Sequence, residues 1–279
     1  MLKKTFIIIS LIIVCTAQVQ AFNFEPITQD YTPTGKGSNH VFHVANPGTE
    51  KIAIKISIRP RSLEPDGTEI QGEESSLFMI YPRQIILNPN ESRSIRVKWN
   101  GEPEPSAEIP FRIIAEQIPV AFSELQPVLG GQITLTYRYE GNIYIVPPGA
   151  KPDLSITSIK KNIETEVITE TVTETIIEIQ DEEEIETQVE KIVETEIHTD
   201  MLVFEIENSG TRHTLLSNIE LKLKRDENDS DPIILTDDKL KGVAGENMLA
   251  GSVRVFSIPM PSGIWEGPVY GSIKQFSAK

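Results

Sequence analysis

The sequence predicts an all-β protein of two immunoglobulin-like β-sandwich domains, with a long acidic β-hairpin inserted in the second. Three observations carry this reading. Strand-like segments recur with turn signals roughly every 8–12 residues. Lys51 to Ile58 alternates Ile52, Ile54, Ile56 and Ile58 against Lys51, Ala53, Lys55 and Ser57, the period of a half-buried strand. The composition, with 19 Pro and 17 Gly beside abundant Ile, Val and Thr, leans away from a helical bundle. At 279 residues the chain has room for two domains of about 130 residues each.

The first residues read as a secretory signal, 1–21. Lys3 and Lys4 give a positive start, Thr5 to Val14 a short apolar run, and Val19-Gln20-Ala21 the small residues of a cleavage site. The run is too short for a membrane span, which needs about 20 residues. The competing reading makes Cys15 a lipidated residue; bulky Val14 directly before it argues against this. Cys15 is the only cysteine, so the mature chain holds no disulfide and depends on an ordinary core. No second hydrophobic segment follows, so no membrane insertion is expected.

Residues 22–147 form the first expected domain. Val41 to Val44 ends in the turn Ala45-Asn46-Pro47-Gly48, and the Lys51–Ile58 strand follows. Ser76 to Tyr81 and Gln84 to Leu87 are short strands before the turn Asn88-Pro89-Asn90. Ser94 to Trp99 sets Ile95, Val97 and Trp99 on one face; Phe111 to Val120 and Ile133 to Val146 complete the series. Pro147-Pro148-Gly149-Ala150-Lys151-Pro152 reads as a stiff linker.

Residues 148–279 form the second expected domain, with strands at Leu154–Ile159, Met201–Glu207, Ile219–Leu223, Ile233–Leu235, Ser252–Ile258 and Pro268–Ile273. Asn208-Ser209-Gly210 repeats the turn role of Ala45-Asn46-Pro47-Gly48. The insertion, residues 162–200, has no Gly, Pro, Ser or aromatic residue. From Ile163 to Ile179 every odd position is β-branched, and many even positions are Glu; the alternation resumes from Ile185 to Ile197 after the charged stretch 180–184. A Glu-rich helix competes with this, since some Ile and Val recur at spacings of four. β-Branched residues at nine odd positions in succession favour a hairpin of about 55 Å, with a Glu-lined face that opposes edge-to-edge aggregation.

The formal net charge is −15, from 26 bases and 41 acids, which argues against nucleic acid as a partner. Most of it is local. Residues 162–200 hold 14 acids and one base, a net of −13; the other 219 residues of the mature chain hold 27 acids and 23 bases, a net of −4.

The stretch Phe78-Met79-Ile80-Tyr81-Pro82-Arg83-Gln84-Ile85-Ile86-Leu87-Asn88-Pro89-Asn90-Glu91-Ser92-Arg93-Ser94-Ile95-Arg96-Val97 resembles the signature region of the PapD-like periplasmic pilus-assembly chaperones of the chaperone–usher family. So does Glu108-Ile109-Pro110-Phe111-Arg112-Ile113-Ile114-Ala115-Glu116-Gln117-Ile118-Pro119. More weakly, Leu202 to Gly210 and Leu249 to Pro259 resemble the family's second domain. The resemblance implies two immunoglobulin-like sandwiches in an L arrangement and a periplasmic location. It implies a chaperone that stabilises pilus or fimbrial subunits by donor-strand complementation, with pilin-type subunits and an outer-membrane usher as partners. Strand addition of that kind draws affinity from backbone hydrogen bonds and specificity from alternate side chains. The matching donor strand is Ile133 to Tyr139, with Ile133, Leu135, Tyr137 and Tyr139 as the donor residues; equally, alternation would point those side chains into this domain's own core.

The family anchors the subunit's terminal carboxylate with an Arg early in the first strand and a Lys late in the donor strand. Here no Arg precedes Arg59, Phe24 to Thr34 offers no base, and Asn142 stands at the Lys position. Asn142 and Arg112 are candidate carboxylate contacts, with Lys36 and Arg138 as further bases. The chain resembles a divergent branch of the family.

No cofactor and no metal site are expected, and no enzyme. His40 and His43, three apart in a strand, fall on opposite faces. Asp226 to Asp231 resembles a calcium loop but has Asp231 where Gly is required, so a solvated hairpin tip fits better. There is no phosphate-cradling Gly loop, nucleophile elbow or pair of cysteines. The alternative function is a secreted immunoglobulin-like adhesin or scaffold that binds a partner through the acidic arm.

Overall fold

Period-2 alternation along the chain becomes paired strands in the computed structural model, which describes residues 21–120, 135–180 and 183–276, with side chains outside 176–187. Residues 1–20 of the expected signal segment, and Ile133 of the expected donor strand, lie outside the described residues. The described chain divides into two compact units: residues to Ser62 with Glu69–Ala150, and Leu63–Thr68 with Lys151 onward.

The first unit contains ten strands: β1 (Asn23–Glu25), β2 (Thr28–Tyr31), β3 (Asn39–Ala45), β4 (Ile52–Leu63), β5 (Glu69–Gln71), β6 (Phe78–Tyr81), β7 (Gln84–Leu87), β8 (Ser92–Trp99), β9 (Ile109–Ile118) and β10 (Arg138–Ile145). One sheet has the order β1-β3-β8-β6. The other runs β2-β10-β9-β4-β5, with β7 also on β4. The inward positions of each strand meet in one core. Ile54, Ile56 and Ile58 of β4 are buried, as are Ile95, Val97 and Trp99 of β8 and Ile113 of β9. Each such side chain contributes about 1.5–3 kcal/mol by leaving water. Phe78 stands edge-on to Trp99 and Phe111, with ring centres 5.0 and 4.9 Å away. Beyond Asn88-Pro89, Asn90 takes a left-handed φ of 59°, and the Glu91 carboxylate accepts from the Asn88 backbone N–H at 2.9 Å.

The strand β4 continues past Ile58 to Leu63, through Pro60. The strand β5 is a further addition to the sequence reading, because three residues carry too little periodicity to be seen. In the opposite direction, the described residues 135–137 precede the last strand of this unit, which begins at Arg138.

The second unit holds β11 (Leu154–Gln180), β12 (Glu183–Asn208), β13 (Thr214–Leu215), β14 (Ile219–Lys224), β15 (Ile233–Thr236), β16 (Asn247–Met248), β17 (Val253–Pro259) and β18 (Tyr270–Gln275). Its sheets β11-β12-β17 and β15-β14-β18 enclose a core that includes Leu202, Phe204 and Ile206 of β12, Leu221 and Leu223 of β14, and Phe256 and Ile258 of β17. The Asp226–Asp231 segment is a tip between β14 and β15. Asp229 accepts from the backbone N–H groups of Arg225 and Asp231, which hold its carboxyl below the ordinary carboxylate range.

The insertion is a hairpin, not a helix: β11 and β12 pair continuously from Leu154↔Asn208 to Gln180↔Glu183, with one bulge between Ile156 and Ser158. The register corrects one expectation. Directly opposed residues share a face, and Glu166 opposes Ile197, Glu170 opposes Val193, Val167 opposes Glu196 and Thr169 opposes Glu194. The ribbon therefore has no single Glu-lined face. Each face carries an acid-rich row on one strand, interrupted by residues such as Ile168 and Val172 or Ile192, beside a row rich in Thr and apolar residues on the other.

Candidate functional site

The middle of β10 in the first unit, at Asn142, gathers polar residues that the sequence marks. In register, Asn142 of β10 opposes Arg112 of β9, and Arg112 opposes Arg59 of β4, so the three side chains share a face of the sheet. Arg61, two residues along β4, points the same way. Arg112 Nη1 and Arg61 Nη1 each donate to Asn142 Oδ1 at 2.5 Å. Glu69 of β5 completes the group. Its Oε2 accepts from Arg112 Nη2 at 2.6 Å and its Oε1 from Arg112 Nε at 2.8 Å, a bidentate pair. Arg61 Nε lies 3.3 Å from Glu69 Oε2.

Burial makes this group electrostatically tight. The Arg61 side chain is 3% exposed, those of Glu69 and Arg112 19% and 21%. Burial lowers the pKa of Arg61, and the neighbouring charge of Arg112 adds to that effect. Burial acts on Arg112 in the same direction, but the hydrogen bond and charge of Glu69 outweigh it and raise its pKa. For Glu69, burial raises the carboxyl; hydrogen bonds from Arg112 and Gln71 and the charges of Arg61 and Arg112 more than reverse this, leaving it below its ordinary value. Two guanidinium groups thus share one carboxylate and one amide oxygen.

The same strand has an edge that is covered for only half its length. On one side β10 pairs with β9 throughout, from Arg138↔Glu116 to Ile145↔Ile109. On the other, β2 pairs in parallel with Asn142–Ile145 alone. Asn142 N donates to Ile27 O at 2.7 Å, and there the cover stops. Gly141 makes the closure possible, since a Cβ on it would lie 2.6 Å from Ile27 O. From Arg138 to Gly141, no strand among the described residues pairs with that edge. The guanidinium pair sits at the point where the open edge ends.

Of the expected donor residues, Leu135 is 58% exposed and precedes β10. Tyr137 and Tyr139 are half-buried and packed against this unit's own core, Tyr139 edge-on to Phe22 with ring centres 4.8 Å apart. Asn142 and Arg112 are brought together, whereas Arg138 is exposed and pairs with Glu140 at 2.8 Å. Lys36 lies in a short 3-10 turn before β3. Arg61 was missed by sequence reasoning. Its signal was the polar phase Ser57, Arg59, Arg61, which continues that of Lys51 and Lys55 across Pro60.

No family model matches this sequence, and no curated protein matches it. Among solved structures, the chain is similar to a chain of the CsuC–CsuE chaperone–tip adhesion subunit pre-assembly complex from the archaic chaperone–usher Csu pili of Acinetobacter baumannii. The identity is 14%, with 90% of this chain and 92% of that chain covered and a TM-score of 0.51. It is also similar to the class 5 fimbriae chaperone CfaA, at 14% identity, 91% and 99% coverage and a TM-score of 0.48. A chain of the chaperone–tip adhesin complex of CFA/I fimbriae gives 15%, 91% and 99%, and 0.48. The likeness to the CsuC–CsuE chain shows the fold alone, two immunoglobulin-like sandwiches.

Proposed function

We propose that this chain is a periplasmic chaperone of pilus or fimbrial subunits that acts by donor-strand complementation, without enzymatic chemistry or a cofactor. The observation that carries the reading is the half-covered edge of β10. An incoming subunit strand pairs with Arg138–Gly141 and the residues before them, where backbone N–H and C=O groups have no strand partner among the described residues. Leu135, 58% exposed, offers an apolar side chain to the subunit groove; Ile133, Tyr137 and Tyr139 share its phase in the sequence, with Tyr137 and Tyr139 packed on this unit's own core. Where the edge closes, Arg112, Arg61 and Asn142 receive the subunit's terminal carboxylate in place of the family's Arg and Lys. In this reading a signal peptide of residues 1–21 directs export, residues 22–147 form the subunit-binding domain, 148–279 form the second domain, and an outer-membrane usher takes over the loaded complex.

The test is co-expression with a pilin-type subunit in the periplasm, reading the soluble subunit recovered with the chaperone. Leu135→Glu is expected to abolish recovery while circular dichroism stays unchanged. Full recovery with a folded Leu135→Glu variant would sink strand donation.

A further inference from the structure

The subunit-binding reading leaves the β11–β12 ribbon without a task. At its base β12 is flanked by β17, but that pairing covers only Met201–Glu207. From Asp200 outward, neither edge of the ribbon pairs with another strand among the described residues. The described ribbon side chains from Asn162 to Asp200 belong to neither core. Nevertheless they include large apolar groups: Ile163 is 63% exposed, Val167 53% and Ile192 66%. A two-stranded ribbon of this kind is marginal by itself in water, and exposed apolar rows mark contact surfaces.

The register states what would fit there. Along the outer edge of β11, Glu164, Glu166, Glu170 and Glu174 point to one face, interrupted by Ile168 and Val172, and Thr165, Val167, Thr169, Thr171 and Thr173 point to the other. A strand laid beside β11 meets four acids and two apolar residues on one face and β-branched residues on the other. Its complement sets Lys or Arg across from Glu164, Glu166, Glu170 and Glu174, and Val, Ile or Thr across from Ile168, Val172 and the β-branched row of the other face. The only base in residues 162–200 is Lys191, 4.0 Å from Glu174. A second copy of this chain would bring two segments of net −13 together, which like-charge repulsion opposes. A basic partner is attracted and steered by the same field.

We propose that the ribbon is a docking arm for a basic β-strand of a partner protein, added along the open edge of β11 between Ile163 and Thr175. The backbone supplies the pairing, the Glu row selects the bases, and the Thr and Val row holds the register. This does not depend on the reading of β10.

The probe is a fluorescent peptide matched in length to Glu164–Thr175, with Lys at alternate positions except those facing Ile168 and Val172, and Val and Thr elsewhere. Its control has the same composition with all Lys in one block. The full chain is expected to bind the alternating peptide at least roughly tenfold more tightly than the block peptide, with affinity falling as salt rises. Binding should protect β11 amides from hydrogen exchange. Replacing Glu164 to Ile197 by a Gly-containing turn should abolish binding. A Glu166→Gln, Glu170→Gln, Glu174→Gln variant, which keeps the ribbon, should weaken it roughly tenfold or more. Equal binding of the two peptides would reduce the arm to a diffuse polyanion and overturn the proposal. Retention of binding in the Gln variant, or arm-dependent dimers in sedimentation, would do the same.

Discussion

Asn46 and Asn208 play the same part in the two sandwiches. Each is buried at the end of a strand, and each side-chain amide nitrogen donates to three backbone carbonyls: Glu50, Leu87 and Asn88 for Asn46; Arg212, Met248 and Leu249 for Asn208. Each Oδ1 accepts from the backbone N–H two residues on, Gly48 or Gly210. The side chain therefore ties its own turn to a neighbouring one. Asn46→Ala and Asn208→Ala are each expected to cost about 2–4 kcal/mol, because buried carbonyls lose their donor. Asn→Asp should cost at least as much, since a carboxylate would face those carbonyls. Urea unfolding followed by circular dichroism measures both, and a loss below about 1 kcal/mol would contradict the network's role.

Arg61 and Arg112 are expected to recognise a terminal carboxylate. A peptide with the subunit's last residues should bind more tightly with a free carboxyl terminus than with an amidated one. Arg112→Ala should erase the difference; Arg112→Lys should restore little of it, as Lys cannot reproduce the fork that Arg112 presents to Glu69 and Asn142. An undiminished preference in both variants would locate the anchor elsewhere.

How much of this was legible in sequence depends on length and periodicity. The β4 and β8 strands announce themselves by alternation, and the ribbon by its odd β-branched positions, because one buried face fixes period 2 over many residues. The short β1, β2 and β5 strands do not, yet β2 decides where the β10 edge is covered and β5 brings Glu69 to the arginines. Asn142 and Arg112 were readable as candidates; their convergence with Arg61 was not, since it rests on register across three strands. The single Glu face failed for the same reason. Alternation within one strand says nothing about which residues of the other strand share its face.

Glu69 links the site to pH. Its folded-state pKa lies below the ordinary value of 4.5, so the carboxylate contributes stability that is fully present above that value. The contribution is lost as pH falls through the depressed folded value. Wild type minus Glu69→Gln should therefore show a constant stability difference from neutral pH down to about pH 5 and a shrinking one below it. A difference that grew on acidification would reverse the sign and show that Glu69 is destabilising as an anion.

Gly141→Ala tests how the edge of β10 is closed. The added methyl would stand 2.6 Å from Ile27 O, the acceptor of the Asn142 N–H, so β2 must move away. The expected cost is about 1–3 kcal/mol, with faster hydrogen exchange at Asn142–Ile145. Slow exchange there in the variant would mean that β2 does not depend on the close approach.

The ribbon's register makes its own prediction, because Glu170 stands directly across from Val193, which is 37% exposed. Val193→Glu places two carboxylates face to face and should destabilise the local pairing by about 0.5–1 kcal/mol at low salt. Val193→Lys should stabilise it by a similar amount. Hydrogen exchange of the amides around Thr169–Thr171 and Ile192–Thr195 reads the change in opening. High salt should reduce the gap between the two variants, since an exposed pair is screened within about 10 Å at 0.1 M. If Lys and Glu at position 193 gave the same exchange rates at low salt, the Glu170–Val193 pairing would be wrong, and with it the separation of acidic and apolar rows that the docking edge requires.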